Sequence, residues 1–276
     1  MKVIKLGGSL LDDVQTRVSV LHDVAAQWNA GHDLVLVHGG GKHIDAMMAK
    51  LGLPKRTHAG LRITDDATLD VVVSVLGGMV NKLIVSELTA LGIKAAGISG
   101  SDAGTLVAEQ HPPIDGVDLG HVGRVVSSNP TLVKSMLNYG ILPVVSSIAI
   151  SSDGKLFNVN ADSAASALAA ALKATSLQFI TDVAGLMDGE GNVVDTLDAS
   201  DAHALVAEGV VKGGMLPKLT AALGAMSAGV ASVTIGATNV SGCSVTGLLG
   251  CSVTPTQQPS NQATKQLVSG GTHASS

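Results

Sequence analysis

Two glycine-rich segments stand directly after apolar runs near the start of the chain. LVLVHGGGK, residues 34–42, carries three consecutive glycines, and KVIKLGG, residues 2–8, carries Lys5 before its glycine pair. Where a strand ends and a helix begins, glycines leave several backbone N–H groups accessible to one ligand, and the helix adds its positive end. One such turn could equally be a tight β-to-α connection. The two together, with a lysine in one of them, indicate a site for an anionic group.

A second lysine and an acid stand in sequence contexts that would complete such a site. Lys218 is predicted near the start of a helix that follows Gly213 and Gly214, and Asp162 opens an Ala-rich helix. Alone, each lysine would most often be a solvated surface residue, and Asp162 could be a helix N-cap. Together with the amides of the glycine turns, they supply what phosphoryl transfer requires: cradling N–H groups, cations for the phosphoryl oxygens and an organising carboxylate.

Other sites that use glycine-rich turns do not fit the chain. A P-loop would need Ser or Thr after Gly41-Lys42, where His43 stands, and no G-x-G-x-x-G follows a predicted strand. HGGG also occurs in the oxyanion loop of some α/β-hydrolases, which makes acyl transfer the natural rival. That chemistry needs a G-x-S-x-G elbow followed by an acid and a histidine, and the nearest match, residues 225–229, is followed by no acidic residue.

The composition argues against nucleic acid, a protein-held metal and a membrane as partners. The net charge is −5, and the chain has 17 Lys and Arg and only four aromatic residues, too few for a basic stacking surface. Cys243 and Cys251 lack partners at metal-ligand spacing, and no signal peptide is evident, so a cytoplasmic protein is expected. Residues 219–264 contain no Asp, Glu, Lys or Arg, but Gly, Ser and Thr interrupt every apolar window, so no membrane span is expected.

Hydrophobic periodicity predicts the elements that must carry these residues. The chain opens with a strand at 2–6, a helix at 13–29, a strand at 34–38 and a helix at 42–51. A short hairpin at 55–63 follows, and then a long apolar helix that Thr64 is expected to cap. In that helix the pair Gly77-Gly78 indicates either a kink or the close approach of another helix, such as one across a dimer interface. The β-α-β-α beginning predicts a largely parallel sheet covered by helices.

The second half continues the alternation. Further strands are predicted at 94–98, 141–150, 177–181 and 231–236, and further helices at 130–139, 162–173, 199–208 and 217–228. Between them, residues 103–127 are predicted as antiparallel ribbons and loops, and 151–156 as a hairpin turn. From Pro255 onward Ser, Thr, Gly and Gln dominate, so residues 255–276 are predicted to be a disordered tail.

Eight segments resemble, in order and approximate spacing, the motifs of the amino acid kinase family, in particular of its members that phosphorylate N-acetyl-L-glutamate. They are KLGGSLL, HGGGK, GLRITDD, LGHVGR, LPVVSSI, NVNADSAA, TDVAGLMDGEG and GGMLPK. The resemblance implies an α/β fold, a three-layer αβα sandwich around a mainly parallel open sheet. It also implies an N-terminal lobe, residues 1–175, for the acyl-amino acid and dimerisation, and a C-terminal lobe, residues 176–254, for ATP.

The same resemblance implies roles for individual residues. Lys5 and Lys218 would stabilise the transferred phosphoryl group, and Asp162 would hold both lysines. Gly8 and Gly40 would donate backbone N–H groups to the phosphoryl oxygens. The substrate would be bound by Gly40, Gly41, Arg62 and Asn158. The nucleotide wall would be formed by Asp182, Val183, Gly185, Leu186, Met187, Gly213, Gly214 and Met215. ATP would bring Mg²⁺ held mainly by the nucleotide, without a dedicated metal site in the protein.

The activity implied is ATP-dependent phosphorylation of the side-chain carboxylate of N-acetyl-L-glutamate, the second step of arginine biosynthesis. A kinase for carrier-linked aminoadipate in lysine synthesis and a noncatalytic nucleotide-binding module on the same fold remain alternatives; Lys5, Lys218 and Asp162 argue against the second. The chain begins one residue before the first strand and lacks the N-terminal helix of hexameric, arginine-inhibited forms, so a homodimer without arginine feedback is expected. Residues 239–276 depart from the family's closing helix and strand, with LLGCSVT, residues 248–254, as a remnant.

Overall fold

A mainly parallel eight-stranded sheet forms the centre of the computed structural model, which describes residues 1–181, 196–198, 214–236 and 251–254. Numbered along the chain, its strands are β1 (Lys2–Leu6), β2 (Leu34–His38), β5 (Ala95–Ser99), β8 (Leu142–Ser146), β11 (Ser176–Ile180), β12 (Thr196–Asp198), β13 (Ser232–Gly236) and β14 (Cys251–Thr254). Their order is β12-β14-β13-β11-β1-β2-β8-β5, and within the described part of this sheet β13 and β14 are antiparallel whereas the other neighbours are parallel.

Smaller strands flank this sheet. The hairpin of β3 (Thr57–His58) and β4 (Leu61–Arg62) matches the predicted one. A closed four-stranded barrel is formed by β6 (Val107–Gln110), β7 (Val122–Ser127), β9 (Ile148–Ile150) and β10 (Leu156–Val159). Because β9 follows β8 almost directly and β10 leads into a helix, the barrel returns the chain to the carboxyl edge of the sheet.

Helices cover both faces of the sheet. They are α1 (Gly8–Asp12), α2 (Val14–Asn29), α3 (Gly41–Lys50), α4 (Asp66–Val73), α5 (Asn81–Ala90), α6 (Thr131–Asn138), α7 (Ala161–Leu172) and α8 (Met215–Ser227). A π-helical segment, Ser74–Val80, joins α4 and α5 into one helix, Asp66–Ala90. The irregularity falls on Gly77-Gly78, where the sequence indicates a kink or a close helix contact. The predicted helix at 199–208 and the tail at 255–276 lie outside the described residues.

Alternation along the strands divides the core into two clusters, one on each face. Along β1, Val3 packs with α6, α7, α8 and the barrel, whereas Ile4 and Leu6 pack with α1 to α5. Helix Asp66–Ala90 is long and apolar enough to cross a membrane, but Val72, Leu76, Ile84 and Leu88 are buried in the second cluster. Its apolar stripe is therefore accounted for by core packing. The prediction of a three-layer α/β fold is confirmed.

Two predictions about local structure are wrong. The long helix is capped by Asp65, whose carboxylate accepts a hydrogen bond from the Thr68 amide at 2.9 Å, and not by Thr64. The Thr64 side chain is fully buried and donates instead to the Arg62 carbonyl. In addition, Gly8 is not part of a simple turn but begins α1, a helix of five residues too short to leave a periodic signal.

Candidate active site

The two glycine-rich turns face each other at the carboxyl ends of β1 and β2. These strands are parallel neighbours, with Leu6 opposite His38. A Cβ atom built on Gly8 would lie 3.4 Å from the Gly41 nitrogen and 4.0 Å from the Gly40 nitrogen. The structure therefore brings Gly8, Gly40 and Gly41 together, as the site prediction requires.

Steric contacts show why the second turn needs glycine. A Cβ on Gly40 would come within 2.8 Å of Leu76 Cδ2 and 3.2 Å of Val80 Cγ2, both on the π-helical segment. A Cβ on Gly39 would lie 3.2 Å from the Cβ of Ala161, the first residue of α7. Since real Cβ contacts are rarely this close, larger residues would push the turn away from its neighbours. The N-terminus of α7 and the π-helical segment thus both contact the turn.

Lys5, Asp162 and Lys218 form one buried cluster beside these turns. Lys5 Nζ lies 2.7 Å from Asp162 Oδ1, and Lys218 Nζ donates to Asp162 Oδ2 at 3.1 Å. The side chains of Lys5, Asp162 and Lys218 are only 6%, 5% and 16% exposed. Residues 5, 162 and 218 are therefore joined in space as predicted, with one carboxylate between two ammonium groups.

Asp162 is available for this contact because another residue caps its helix. The Asn160 side chain accepts hydrogen bonds from the amides of Asp162 and Ser163 at 2.8 and 3.1 Å. Asp162 stands in the first turn of α7, and its own carboxylate points to the lysines. The reading of Asp162 as an ordinary N-cap is therefore wrong, and Asn160 takes that role.

The relative position of α7 and α8 is held by a buried hydroxyl. Ser166 Oγ lies 2.8 Å from the Ala221 carbonyl of α8 and 3.0 Å from the Asp162 carbonyl of its own helix, and its single proton can be donated to either. Small residues of α7, including Ala164, Ala165 and Ala169, are fully buried in the same cluster. Close packing between the two helices thus brings Lys218 to Asp162.

Electrostatics in the cluster favour the ionised acid. Burial alone raises the pKa of the Asp162 carboxyl, but the ammonium groups of Lys5 and Lys218 outweigh it, so that the pKa lies below its ordinary value. With the acid ionised and both lysines protonated, the cluster carries one net positive charge. Such a cluster can stabilise an additional anion placed next to it.

Arg62 and Asn158 lie along one wall next to Gly41. Arg62 donates to the Gly41 carbonyl at 3.2 Å and forms an ion pair with Asp45. Asn158 Nδ2 donates to Thr64 Oγ1 at 3.1 Å, and that hydroxyl donates to the Arg62 carbonyl. The structure therefore connects Arg62 to Asn158 through Thr64, a residue that the sequence analysis assigned only to a helix cap.

The segment LGHVGR holds Thr64 in this wall. The Thr64 amide donates to the Leu119 carbonyl at 3.0 Å, and the His121 amide donates to the Thr64 carbonyl at 2.7 Å. Gly120, with φ of +64°, fits between them because a Cβ there would come within 2.3 Å of the Thr64 carbonyl oxygen. Two sequence motifs thus meet in one backbone bridge, between Thr64 and Gly120, which are 56 residues apart.

Two of the eight predicted nucleotide residues lie in the described part of the chain. Gly214 is the N-cap of α8 and Met215 is its first residue, so both stand next to the helix turn that carries Lys218. The other six, Asp182, Val183, Gly185, Leu186, Met187 and Gly213, lie outside the described residues. Among the residues that are described, no group of three or more His, Cys, Asp and Glu side chains could hold a metal ion.

A buried polar network that the sequence patterns do not reveal lies behind the second glycine turn. His38 is fully buried; its ring contacts the Gly39 carbonyl at 2.9 Å and the Asn81 side chain at 3.1 Å. Burial lowers the pKa of His38 to about 4, despite the hydrogen bond to Gly39. The sequence does contain a signal, since Asn81 is an amide directly after the apolar stretch 75–80 of the long helix, but its partner cannot be inferred from the spacing.

Comparison with known proteins agrees with this architecture. The model of the amino acid kinase family matches residues 1–237. The chain is 42% identical over 233 residues to an acetylglutamate kinase of Ruegeria pomeroyi, covering 84% of this chain and 80% of that one. It is also 42% identical over 248 residues to an acetylglutamate kinase of Methanopyrus kandleri, covering 88% and 96%.

Solved structures show the same fold. The protein smu.665 of Streptococcus mutans superposes with a TM-score of 0.80 at 27% identity, covering 92% of this chain and 98% of that one. Carbamate kinase of Giardia superposes with a TM-score of 0.67 at 16% identity, with the same coverage, which is a similarity of fold alone.

Proposed function

This chain belongs to the amino acid kinase family, and from that premise we propose that it phosphorylates the side-chain carboxylate of N-acetyl-L-glutamate with ATP. The product is N-acetyl-glutamyl 5-phosphate, and the reaction is the second step of arginine biosynthesis. The observation that carries the proposal is the buried Lys5–Asp162–Lys218 cluster next to two facing glycine turns. Relatives named acetylglutamate kinase support N-acetyl-L-glutamate over carrier-linked aminoadipate as the acceptor.

The residues present fit a bound polyphosphate. The place where a Gly8 side chain would stand faces the Gly41 and Gly40 nitrogens, 3.4 and 4.0 Å from that Cβ position, and the adjacent cluster has a net positive charge. ATP with Mg²⁺, held mainly by the nucleotide, supplies the electrophilic γ-phosphoryl group. The amides of Gly8 and Gly40 donate to its oxygens, while Lys5 and Lys218 neutralise charge that develops during transfer. Asp162 keeps both ammonium groups oriented toward one point.

No general base is required for this reaction. A glutamate-type carboxylate with an ordinary pKa near 4.3 is already ionised at neutral pH. One of its oxygens forms the new bond to phosphorus, and the bond from phosphorus to the bridging oxygen breaks, so that ADP leaves. The chain therefore positions two anions and offsets their repulsion, which proximity and fixed cations can do without proton transfer. Arg62, Asn158, Gly40 and Gly41 hold the acceptor.

The two lobes divide these tasks. Residues 1–175 bind the acyl-amino acid and residues 176–254 bind ATP, with 255–276 as a tail. The nucleotide wall comprises Asp182, Val183, Gly185, Leu186, Met187, Gly213, Gly214 and Met215. The supporting observation is that β1 of the first lobe and β11 of the second are neighbours in one sheet. Their carboxyl ends therefore lie side by side at one edge of the sheet, the usual ligand position in such folds.

We place the protein in the cytoplasm as a homodimer without arginine feedback. Its contact would use the sheet edge at β5 and the helix Asp66–Ala90, where Met79 is half exposed beside Gly77 and Gly78. A cleft of about 280 Å³ opens there, between Gly77, Lys82 and Ser99. Light scattering checks the assembly, and a hexamer or inhibition of the activity by arginine would contradict it.

Trapping of the acyl phosphate with hydroxylamine tests the proposed function. The purified protein is incubated with ATP, Mg²⁺ and one acceptor at a time: N-acetyl-L-glutamate, glutamate, aspartate, carbamate or carrier-linked aminoadipate. We expect hydroxamate chiefly with N-acetyl-L-glutamate, and none without ATP. Hydroxamate from the carrier-linked acceptor alone would support the lysine-pathway kinase. ATP binding without any acyl phosphate would support the noncatalytic module.

A further inference from the structure

The ring of His38 is fixed by its two hydrogen-bond partners in one protonation state. The Gly39 carbonyl, 2.9 Å from Nδ1, can only accept a hydrogen bond, so Nδ1 must carry a proton. On the other side of the ring, Nε2 lies 3.1 Å from the side-chain nitrogen of Asn81. If that nitrogen is a donor, Nε2 must be the unprotonated acceptor of a neutral imidazole.

The surroundings of Asn81 establish that its nitrogen is the donor. Asn81 Nδ2 also lies 3.0 Å from the Val144 carbonyl and 3.3 Å from the Ile98 carbonyl. On its other side, Oδ1 accepts a hydrogen bond from Lys82 Nζ at 3.1 Å. The reverse orientation of the amide would place an oxygen against two carbonyls and an NH₂ group against an ammonium. The orientation of Asn81 therefore follows from its partners, and it selects the His38 tautomer.

The hydrogen bond from His38 also orients the peptide unit that joins Gly39 to Gly40. The Gly39 carbonyl and the Gly40 N–H belong to the same planar trans unit and point in opposite directions. A hydrogen bond that fixes the Gly39 oxygen therefore also fixes the direction of the Gly40 N–H, in a turn where no side chain restricts the backbone. Donation to the carbonyl also polarises the peptide and strengthens its N–H as a donor. Contacts with Leu76 and Val80 close the other side of Gly40.

We propose that His38 is a positioning residue that aims the Gly40 N–H at the transferred phosphoryl group, and that Asn81 holds His38 in the required tautomer. The proposal rests on the proposed function, in which Gly40 donates to that group. His38 does not touch substrate or nucleotide; it acts through one peptide unit. The network explains why a buried, neutral imidazole stands directly before the glycine turn.

Two substitutions of His38 distinguish the roles of its two ring nitrogens. An asparagine side chain can place its NH₂ group where Nδ1 stands, whereas a glutamine reaches the position of Nε2 instead. His38→Asn should therefore keep the hydrogen bond to Gly39, and His38→Gln should lose it. Because misdirecting one phosphoryl-binding donor is comparable to weakening an oxyanion-hole donor, we expect kcat to fall ~10- to 100-fold in His38→Gln and only ~3-fold in His38→Asn. ADP affinity should remain close to that of the unmodified protein in both.

Leu88→Ala provides the control for loss of stability alone. Leu88 is fully buried on the same helix as Asn81, two turns away from it. This variant should lower Tm without lowering kcat. Equal loss of kcat in His38→Asn and His38→Gln, or a comparable loss of kcat in Leu88→Ala, would overturn the positioning role.

Nuclear magnetic resonance supplies a readout that is independent of turnover. In protein labelled with ¹⁵N, the ring of His38 should show the neutral tautomer protonated at Nδ1, and the Gly40 amide resonance should shift in His38→Gln but not in His38→Asn. A ring protonated at Nε2 would overturn the proposal, and this measurement needs no variant if His38→Gln does not fold. Absence of acyl phosphate in the unmodified protein would count against the proposed function, whereas the ring and amide spectra test His38 by themselves.

Discussion

At the scale of single residues, the site depends on how one carboxylate is shared by two ammonium groups. Lys218 is the more exposed of the two lysines and comes from a different helix than Asp162, so its removal leaves the Lys5–Asp162 contact in place. We expect Lys218→Ala to lower kcat by roughly 10²–10³, as for loss of one transition-state donor, with ADP affinity largely kept. Steady-state kinetics and calorimetric ADP titration measure the two effects.

The matched control for Lys218→Ala is Lys134→Ala. Lys134 is an exposed lysine on α6. Its removal changes the net charge by the same amount without touching the cluster, so kcat should not change. Unchanged kcat in Lys218→Ala would contradict the role proposed for that residue.

At the scale of elements, the helices that carry the site are joined by an ion pair that sequence patterns did not reveal. Arg17 of α2 donates from Nε and from its terminal nitrogen to the Glu87 carboxylate of α5, at 2.8 to 3.1 Å, and also to the Leu11 carbonyl at the end of α1. Arg17 is buried, whereas the Glu87 side chain is 23% exposed. The pair thus connects α1, which begins at Gly8, to the long helix behind the second glycine turn.

Removing one partner of this pair should cost more stability than removing both. Glu87→Ala leaves a buried guanidinium without its carboxylate, so we expect the free energy of unfolding to fall by about 2–3 kcal/mol. The double substitution Arg17→Met with Glu87→Leu should recover most of that loss, because no buried charge remains. Urea unfolding measures both, and a double variant less stable than Glu87→Ala would show that the ion pair itself stabilises the fold.

At the scale of the whole molecule, two buried groups make stability depend on pH. The pKa of His38 is about 4 in the folded chain because burial, His43 and Lys82 disfavour its charged form; the ordinary value is 6.5. Between pH 6.5 and about pH 4, His38 is protonated in the unfolded chain but remains neutral in the folded chain. Stability is therefore complete above pH 6.5 and falls by up to ~3 kcal/mol as the pH decreases to 4.

Asp162 extends this loss to lower pH. Because its pKa is below the ordinary 3.8 in the folded state, its contribution is present above that value and is lost as the pH falls through the folded pKa. Unfolding midpoints measured from pH 7.5 to 3 should thus decrease first through His38 and then through Asp162. His38→Asn should flatten the first part of the curve and leave the second; an unchanged slope between pH 6.5 and 4.5 would contradict the His38 assignment.

Much of the fold could be predicted from the sequence because its signals are local. Apolar runs and periodic stripes identified β1, β2, α2, α3 and the helix Asp66–Ala90, since burial of one face repeats every few residues. The short helix α1 is not predicted, because five residues leave no periodic signal. The motif resemblance predicts that Lys5, Asp162 and Lys218 lie in one site, and their contacts agree with this prediction.

Residue types and their spacing thus establish which residues could take part: two glycine turns, two lysines, an acid and the elements that carry them. The partners of these residues depend on the tertiary fold. Asn160 caps α7 and releases Asp162, Thr64 is drawn into the wall beside Arg62, and Asn81 selects the proton position of His38. Each of these hydrogen bonds depends on which groups the strand order and the helix packing bury side by side. A buried polar group must form its hydrogen bond with a group that lies next to it.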